Sequence, residues 1–512
     1  MTSTAPETPA TASTAPGRPA SSAALIPRPR ALKVLGGTFV IGPHVGVRGP
    51  EPAAGLAREV LGLTGSGGGI ELRLTDDANL GDEGYRLLVR PDSVEATAAT
   101  TVGLGWAVQS LRQLHLDGVI PCVEIEDRPR LAWRGSLLDV ARHWFSMSFL
   151  YRYVDLLAMH KLNVLHLHLT DDQGWRVQIQ RYPLLTEIGG HRTGSATAHA
   201  EDSPLDAVPH EGCYTQDELR ALVAYGERRG VQIMPEIDTP GHVQAALAAY
   251  PHLGNDPGCT LSVRRHWGIS RHVLNVSEES VRFVCDVLDE ISDVFPFGFV
   301  HIGGDEVPPD EWAASAIAAE RIVAEGLSGP EMLAGWWAGR LTTHLRGLGR
   351  RAAIWDETLD FGLSGDPLVF AWQGAHRVGQ ALAAGAEVVA APYEFTYLDW
   401  REATTPHEPP AIAGDLPLSV VQGYEPPAGV LGLQGQLWSE YLGTPQAVEW
   451  RAFPRLTAIA ENGWSDNPAE PDDFRARLSV HLGRLDRMGV NYRPPDTGTD
   501  RGDARPEEGT DG

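Results

Sequence analysis

Trp133-Arg134-Gly135-Ser136-Leu137-Leu138-Asp139-Val140-Ala141-Arg142-His143 opens the stretch that decides the fold, and Asn163-Val164-Leu165-His166-Leu167-His168-Leu169-Thr170-Asp171-Asp172 closes its first repeat. The runs 135–140 and 163–169 are short and mostly apolar, as strands buried on both faces are. Between them, residues 147–160 carry apolar side chains at helical spacing. The alternation then continues. Further strands are expected at 231–237, 298–304, 352–356, 368–372, 387–391 and 431–437, with helices at 215–229, 278–293, 331–348, 376–384 and 446–460. Eight strands over roughly 350 residues predict an α/β fold, a closed (β/α)8 TIM barrel, because doubly wound sheets seldom need eight units.

The chemistry of such a barrel sits at the C-terminal ends of its strands. Strand 1 leads into Asp139 and Arg142, strand 2 into His168, Asp171 and Asp172. Strand 3 leads into Pro235-Glu236-Ile237-Asp238-Thr239-Pro240-Gly241-His242, and strand 4 into His301-Ile302-Gly303-Gly304-Asp305-Glu306. Strands 5, 6 and 8 end at Trp355-Asp356-Glu357, Trp372-Gln373 and Trp438-Ser439-Glu440. After strand 7 comes Tyr393-Glu394-Phe395-Thr396-Tyr397-Leu398-Asp399. A rim of acids and tryptophans suits a neutral, hydroxyl-rich ligand. Carboxylates accept hydroxyl hydrogen bonds, and indole faces pack on the C–H face of a pyranose. Asp305 and Glu306 are neighbours at a strand end, where the chain curls and both can enter one pocket. Two close carboxyls split their pKa values, leaving one able to stay protonated as a general acid.

Outward from the barrel, residues 23–128 read as a small α+β domain, with strands at 70–74, 85–89 and 94–98, a helix at 106–116, and a linker at 126–130. The barrel is expected over 129–493. Residues 1–22, rich in Thr, Ala, Pro and Ser, and residues 494–512, acidic, are expected to be disordered tails. The 512 residues carry 42 Lys+Arg against 67 Asp+Glu, a formal charge of −25. That balance argues against nucleic acid and anionic membranes as partners. Lys33 and Lys161 are the lysines of the chain, a matter of composition. The 4 cysteines show no CxxC spacing, and one disulfide is open. No apolar run approaches membrane-spanning length.

In these motifs the sequence resembles the family 20 glycoside hydrolases, the β-N-acetylhexosaminidases. The resemblance rests on His301 through Glu306 (HIGGDE), Pro235 through His242 (PEIDTPGH), His166 through Trp175 (HLHLTDDQGW) and Leu437 through Glu440 (LWSE), in that family's order along the chain. It extends to the domain before the barrel through Gly84-Tyr85 and Leu111-Arg112-Gln113-Leu114. The resemblance implies exo-acting removal of terminal β-linked N-acetylglucosamine or N-acetylgalactosamine, with retention and no enzyme nucleophile. The substrate's own acetamido oxygen would attack C1. By the same resemblance Glu306 is the general acid and base, Asp305 holds the acetamido N–H, and Tyr397 meets the acetamido oxygen, with Tyr393 the alternative four residues earlier. Trp355, Trp372 and Trp438 wall the sugar pocket, while Arg142, Asp171 and Glu440 bind its outer hydroxyls. Asp399 meets the 4- and 6-hydroxyl side. His242 lies near the acid, with Asp238 to orient it, or else both cap the following helix.

A second reading is a metal-dependent amidohydrolase, in which His166 and His168 share a strand face with His242, His301 or Asp305 completing the site. A third is a sugar-binding protein without activity. The hexosaminidase reading expects no metal and no cofactor, an oligosaccharide or glycoconjugate as its partner, and a monomer or homodimer. The absence of an apolar signal core points to the cytoplasm, or to export by a non-classical route.

Overall fold

Trp133–Asp139, Val164–His168, Gln232–Glu236, Phe299–His301, Arg351–Trp355, Leu368–Ala371, Glu387–Ala390 and Gly432–Gly435 run parallel, each paired with the next, and the last pairs with the first. This is the closed eight-stranded barrel that the alternation predicts. The structure is a computed structural model describing residues 23–200, 202–256, 258–362, 365–405, 408–466 and 470–495. The tail expected at 1–22 lies outside the described residues, as does the second tail from residue 496 onward.

The first two barrel strands are buried along their whole length, because helices cover one face and the filled interior the other. Inside the barrel Trp133 packs against Phe297, Phe299 and Phe370 with ring centroids 5.7, 5.8 and 5.5 Å away. Helices Met147–Met159 and Gln216–Glu227 start at side-chain caps, Ser146 and Thr215, and Thr215 forms a reciprocal box with Glu218. One expected helix is two. Residues 446–460 divide into Pro445–Ala452 and Arg455–Trp464, because Pro454 has no N–H to continue the ladder and keeps Phe453 out of the helical region. Between the fourth and fifth strands, Asp310–Ala313 and Ala316–Glu325 precede the expected helix, which spans Leu333–Gly347.

The N-terminal domain is a six-stranded sheet in the order Ala31–Val40, Val119–Asp127, Tyr85–Val89, Val94–Ala98, Gly69–Leu74, Gly46–Arg48. Tyr85, Leu87 and Val89 face helix Thr101–Leu114, while Arg86 on the other face pairs with Glu126 and Asp77, both at 2.8 Å. That helix begins at 101, five residues before the expected start, because the Thr100 side chain caps it. The strand Ala31–Val40 carries no clean alternation. Its register shifts between Val34 and Thr38, where Gly37 takes φ +96.

The expected linker is shorter than its composition suggests, since the last sheet strand continues to Asp127. Asp127 also pins the two units together. Its carboxylate lies 2.7 Å from Lys161 Nζ, and it accepts hydrogen bonds from Tyr85 Oη at 2.8 Å and Trp464 Nε1 at 2.9 Å. Cys122, Cys213, Cys259 and Cys285 are all unpaired. Among the described residues, no helix is long and apolar enough to cross a membrane.

Candidate active site

The fourth strand stops at His301, and Gly303 (φ +71) and Gly304 (φ +98) turn the chain into the barrel mouth. A Cβ on Gly303 would lie 1.6 Å from Asp238 Oδ1, so only glycine fits. Gly304 N donates to the same oxygen at 3.3 Å. Glu306 itself sits at φ +48, a conformation that non-glycine residues seldom hold. The outcome is two neighbouring carboxyls in one cavity, Asp305 buried and the Glu306 side chain 34% exposed. Burial pushes the Asp305 carboxyl up to about 6; His242 opposes the shift, and the charge of Glu306 adds to it.

His242, also at positive φ, is the central cation of this end of the barrel. Its Nε2 is 3.4 Å from Glu306 Oε2 and 3.8 Å from Asp305 Oδ2, while its Nδ1 is 3.4 Å from Asp171 Oδ1 and 3.7 Å from Asp172 Oδ2. Burial opposes its charge, but Asp171, Asp172 and Glu306 outweigh that and hold the imidazole well above the usual histidine range. Asp171 and Asp172 face the Nδ1 side that Asp238 was expected to orient. Asp238 instead holds the Gly303-Gly304 turn. Burial and the neighbouring Asp305 raise its carboxyl well above the carboxylate range. Nor does Asp238 or His242 cap the helix Gln244–Ala249; Asp172 does, accepting from Gln244 N at 2.9 Å.

Across the cavity Arg142 Nη2 pairs with Asp171 Oδ2 at 2.9 Å, Nη1 with Asp139 Oδ2 at 3.3 Å, and Nε donates to Gln173 Oε1 at 3.1 Å. Its guanidinium lies 5.2 Å from the Trp438 ring. Glu440 is buried, which raises its carboxyl against the pull of Arg142. Burial, with the charge of Glu440 added, pushes Asp399 up to about 8, and neither Asp399 oxygen has a hydrogen-bond partner.

Aromatic rings complete the walls. Trp355 lies 5.9 Å from Trp438, and Trp372 stacks on Tyr397 at 6.0 Å and 23°. Burial, then the charge of Asp399, raises the Tyr397 phenol well above its usual range, so it stays a hydrogen-bond donor. Tyr393 packs on Trp400 at 5.6 Å. The twelve residues that the family resemblance assigned to the site, from Arg142 to Glu440, all line one cavity of about 460 Å³, a volume that suits a monosaccharide.

Other contributors were not singled out. Glu357 accepts the Trp372 indole N–H at 3.1 and 3.0 Å, and its only signal was its place beside Trp355-Asp356. His199, Gly268, Ile269, Trp400, Ile412 and Ala413 edge the mouth from loops after the second, third and seventh strands. His166 and His168 do share a strand face, but their ring nitrogens turn to Glu236, at 3.1 and 2.6 Å.

Residues 131–467 match the family model of the glycosyl hydrolase family 20 catalytic domain, and residues 22–128 that of family 20 domain 2. The chain is 36% identical over 459 residues to a β-hexosaminidase of Porphyromonas gingivalis, covering 85% of this chain but 58% of that protein's length. It is 33% identical over 460 residues to a β-hexosaminidase of Akkermansia muciniphila, covering 84% and 89%. Among solved structures, an exo β-N-acetylglucosaminidase of Vibrio harveyi in complex with N-acetylglucosamine superposes with TM-score 0.85 and 33% identity, over 94% of this chain and 80% of that one. Streptomyces plicatus N-acetyl-β-hexosaminidase gives TM-score 0.80 and 29% identity, over 94% and 98%. The chain belongs to glycosyl hydrolase family 20.

Proposed function

We propose that the protein is an exo-acting β-N-acetylhexosaminidase that removes terminal, non-reducing β-linked N-acetylglucosamine or N-acetylgalactosamine from an oligosaccharide or glycoconjugate. The observation that carries this reading is the Asp305–Glu306 pair, which puts one buried and one partly exposed carboxyl side by side in a sugar-sized, aromatic-walled cavity.

Glu306 gives its proton to the leaving oxygen as the C1–O bond breaks. The acetamido carbonyl oxygen forms a new bond to C1, producing an oxazolinium ion with the sugar inverted at C1. Asp305, ionised, accepts the acetamido N–H and faces the positive charge, while Tyr397 donates to the acetamido oxygen. Water then attacks C1 with Glu306 taking its proton, the oxazolinium ring opens, and the configuration is restored. Asp305 must lose its proton for this work. Its raised carboxyl does so more readily once an N–H donor and a developing cation lie against it. His242 steadies the charged form of Glu306 between the two steps.

Arg142, Asp171, Asp399 and Glu440 supply the donors and acceptors for the outer hydroxyls, and Trp355, Trp372 and Trp438 hold the ring and the acetamido methyl. The Arg142–Asp171 pair at 2.9 Å ties this far wall together, which supports a site for one terminal sugar. A chito-oligosaccharide labelled at its reducing end tests the exo mode. Single residues should leave stepwise from the non-reducing end. Internal fragments at the earliest time points would contradict it.

A further inference from the structure

At the inner wall of the cavity, where His168 lines it, lies a charge cluster to which the proposed chemistry assigns no role. Glu236 ends the third strand with no exposed surface. Its Oε1 accepts the Trp355 indole N–H at 2.9 Å and lies 2.9 Å from His301 Nδ1. Its Oε2 lies 2.6 Å from His168 Nδ1 and 3.1 Å from His166 Nε2. His168 passes the contact on, since its Nε2 is 2.8 Å from Asp171 Oδ2. Asp171 holds Arg142 at 2.9 Å and His242 at 3.4 Å, and His242 reaches Glu306 at 3.4 Å. Carboxylate and imidazole thus alternate from Glu236 through His168, Asp171 and His242 to Glu306.

Each ring nitrogen of His168 faces a carboxylate. A neutral imidazole has one N–H and could serve one of them; an imidazolium serves both. Burial opposes that charge, but Glu236 and Asp171 outweigh it and hold His168 well above the usual histidine range. The other groups facing the ring are His166 on its own strand, Asp238 and Asp305 from the third and fourth strand ends, and Trp438 at 5.0 Å. Glu236 faces His166, His301 and Trp355 besides.

We propose that His168 is a positioning residue for the general acid: tied at one ring nitrogen to Glu236, it fixes at the other the Asp171 carboxylate on which His242, and through it Glu306, is aligned. The inference rests on the hexosaminidase reading above. Losing His168 frees Asp171 to turn toward Arg142, and His242 loses the carboxylate that holds its far side.

The test compares kcat/KM for two N-acetylglucosaminides that differ in leaving group, 2,4-dinitrophenolate, which departs unprotonated, and the sugar alcohol of N,N′-diacetylchitobiose, which needs the acid. For His168→Gln the loss is expected to be about 10–100-fold greater on chitobiose than on the dinitrophenyl substrate: both share whatever sugar contact Asp171 loses, and only chitobiose needs proton transfer. Glu236→Gln keeps an oxygen for Trp355 but removes the charge that ties His168 in place, so its hold on Asp171 loosens and a smaller loss, again greater on chitobiose, is expected. It carries the test if His168→Gln does not fold. Equal loss on both substrates, or none, overturns the proposal. So does failure of both variants to fold, which would make the cluster purely structural. A wild type that turns over neither substrate defeats the hexosaminidase reading and takes this inference with it.

Discussion

Two clusters of buried charge stand at opposite ends of the barrel, and they are built differently. At the N-terminal end Asp127, Lys161, Tyr85 and Trp464 satisfy one another, and none of their side-chain polar atoms is left without a partner. At the C-terminal end, Asp238 Oδ2, Asp305 Oδ1, both oxygens of Asp399 and both nitrogens of His242 are buried without a hydrogen bond. Folding alone does not reward unpaired buried polar atoms, which each cost about 1–3 kcal/mol. The first cluster holds two units together; in the proposed function the second keeps its donors and acceptors for a substrate. Between them lies the Glu236 cluster, in which Glu236 and His168 are fully partnered while His166 Nε2 and His301 Nε2 have no hydrogen bond, and it is connected to the second.

Removing a member from each cluster should therefore damage different properties. Asp305→Ala is expected to lower kcat by about 10²–10³-fold, the order seen when one stabilising group is taken from a transition state. Its melting temperature should hold or rise, since a buried carboxyl with an unpartnered oxygen is gone. A large drop in melting temperature would mean that Asp305 is structural. Lys161→Met should do the reverse, lowering stability by about 3–5 kcal/mol because Asp127 is left as an uncompensated buried charge. Its kcat per folded molecule should stay at the wild-type value, and chemical denaturation with active-site titration reads both quantities.

The smallest expected effect concerns Asp399. Its carboxyl is raised in the folded protein, to about 8, so between the ordinary carboxylate range and pH 8 the native state binds more protons than the unfolded chain. Stability therefore falls as pH rises through that window. Asp399→Asn removes the titrating group, and its melting temperature should decline less between pH 5 and pH 8 than that of the wild type. Parallel curves would contradict the raised carboxyl.

The same contrast shows what a sequence displays. Barrel strands are legible because burial on both faces makes them short apolar runs, and the rim acids follow directly from where those runs stop. Asp305, Glu306 and the aromatic walls are local motifs of this kind. The strand Ala31–Val40 was hidden because a glycine bulge breaks its alternation and its edge is exposed. Pairings that depend on closure of the barrel were hidden too. His168 meets Glu236 across 68 positions, and Asp127 meets Lys161 across 34. Asp127 read as linker and Lys161 as composition, yet together they form the junction. The part expected of Asp238 fell to Asp171 and Asp172, because which carboxylate faces an imidazole depends on the turn after each strand, here the Gly303-Gly304 turn that occupies Asp238.

In the proposed mechanism Asp305 and Glu306 work with a nucleophile carried by the substrate. The most direct measurement is kcat/KM on 4-nitrophenyl N-acetyl-β-glucosaminide beside 4-nitrophenyl β-glucoside, which differ at C2 alone. The glucoside should be slower by several orders of magnitude, because it lacks the acetamido oxygen that attacks C1. Comparable rates, or a fluorosugar trapped as an ester on Asp305 or any other carboxylate, would contradict it.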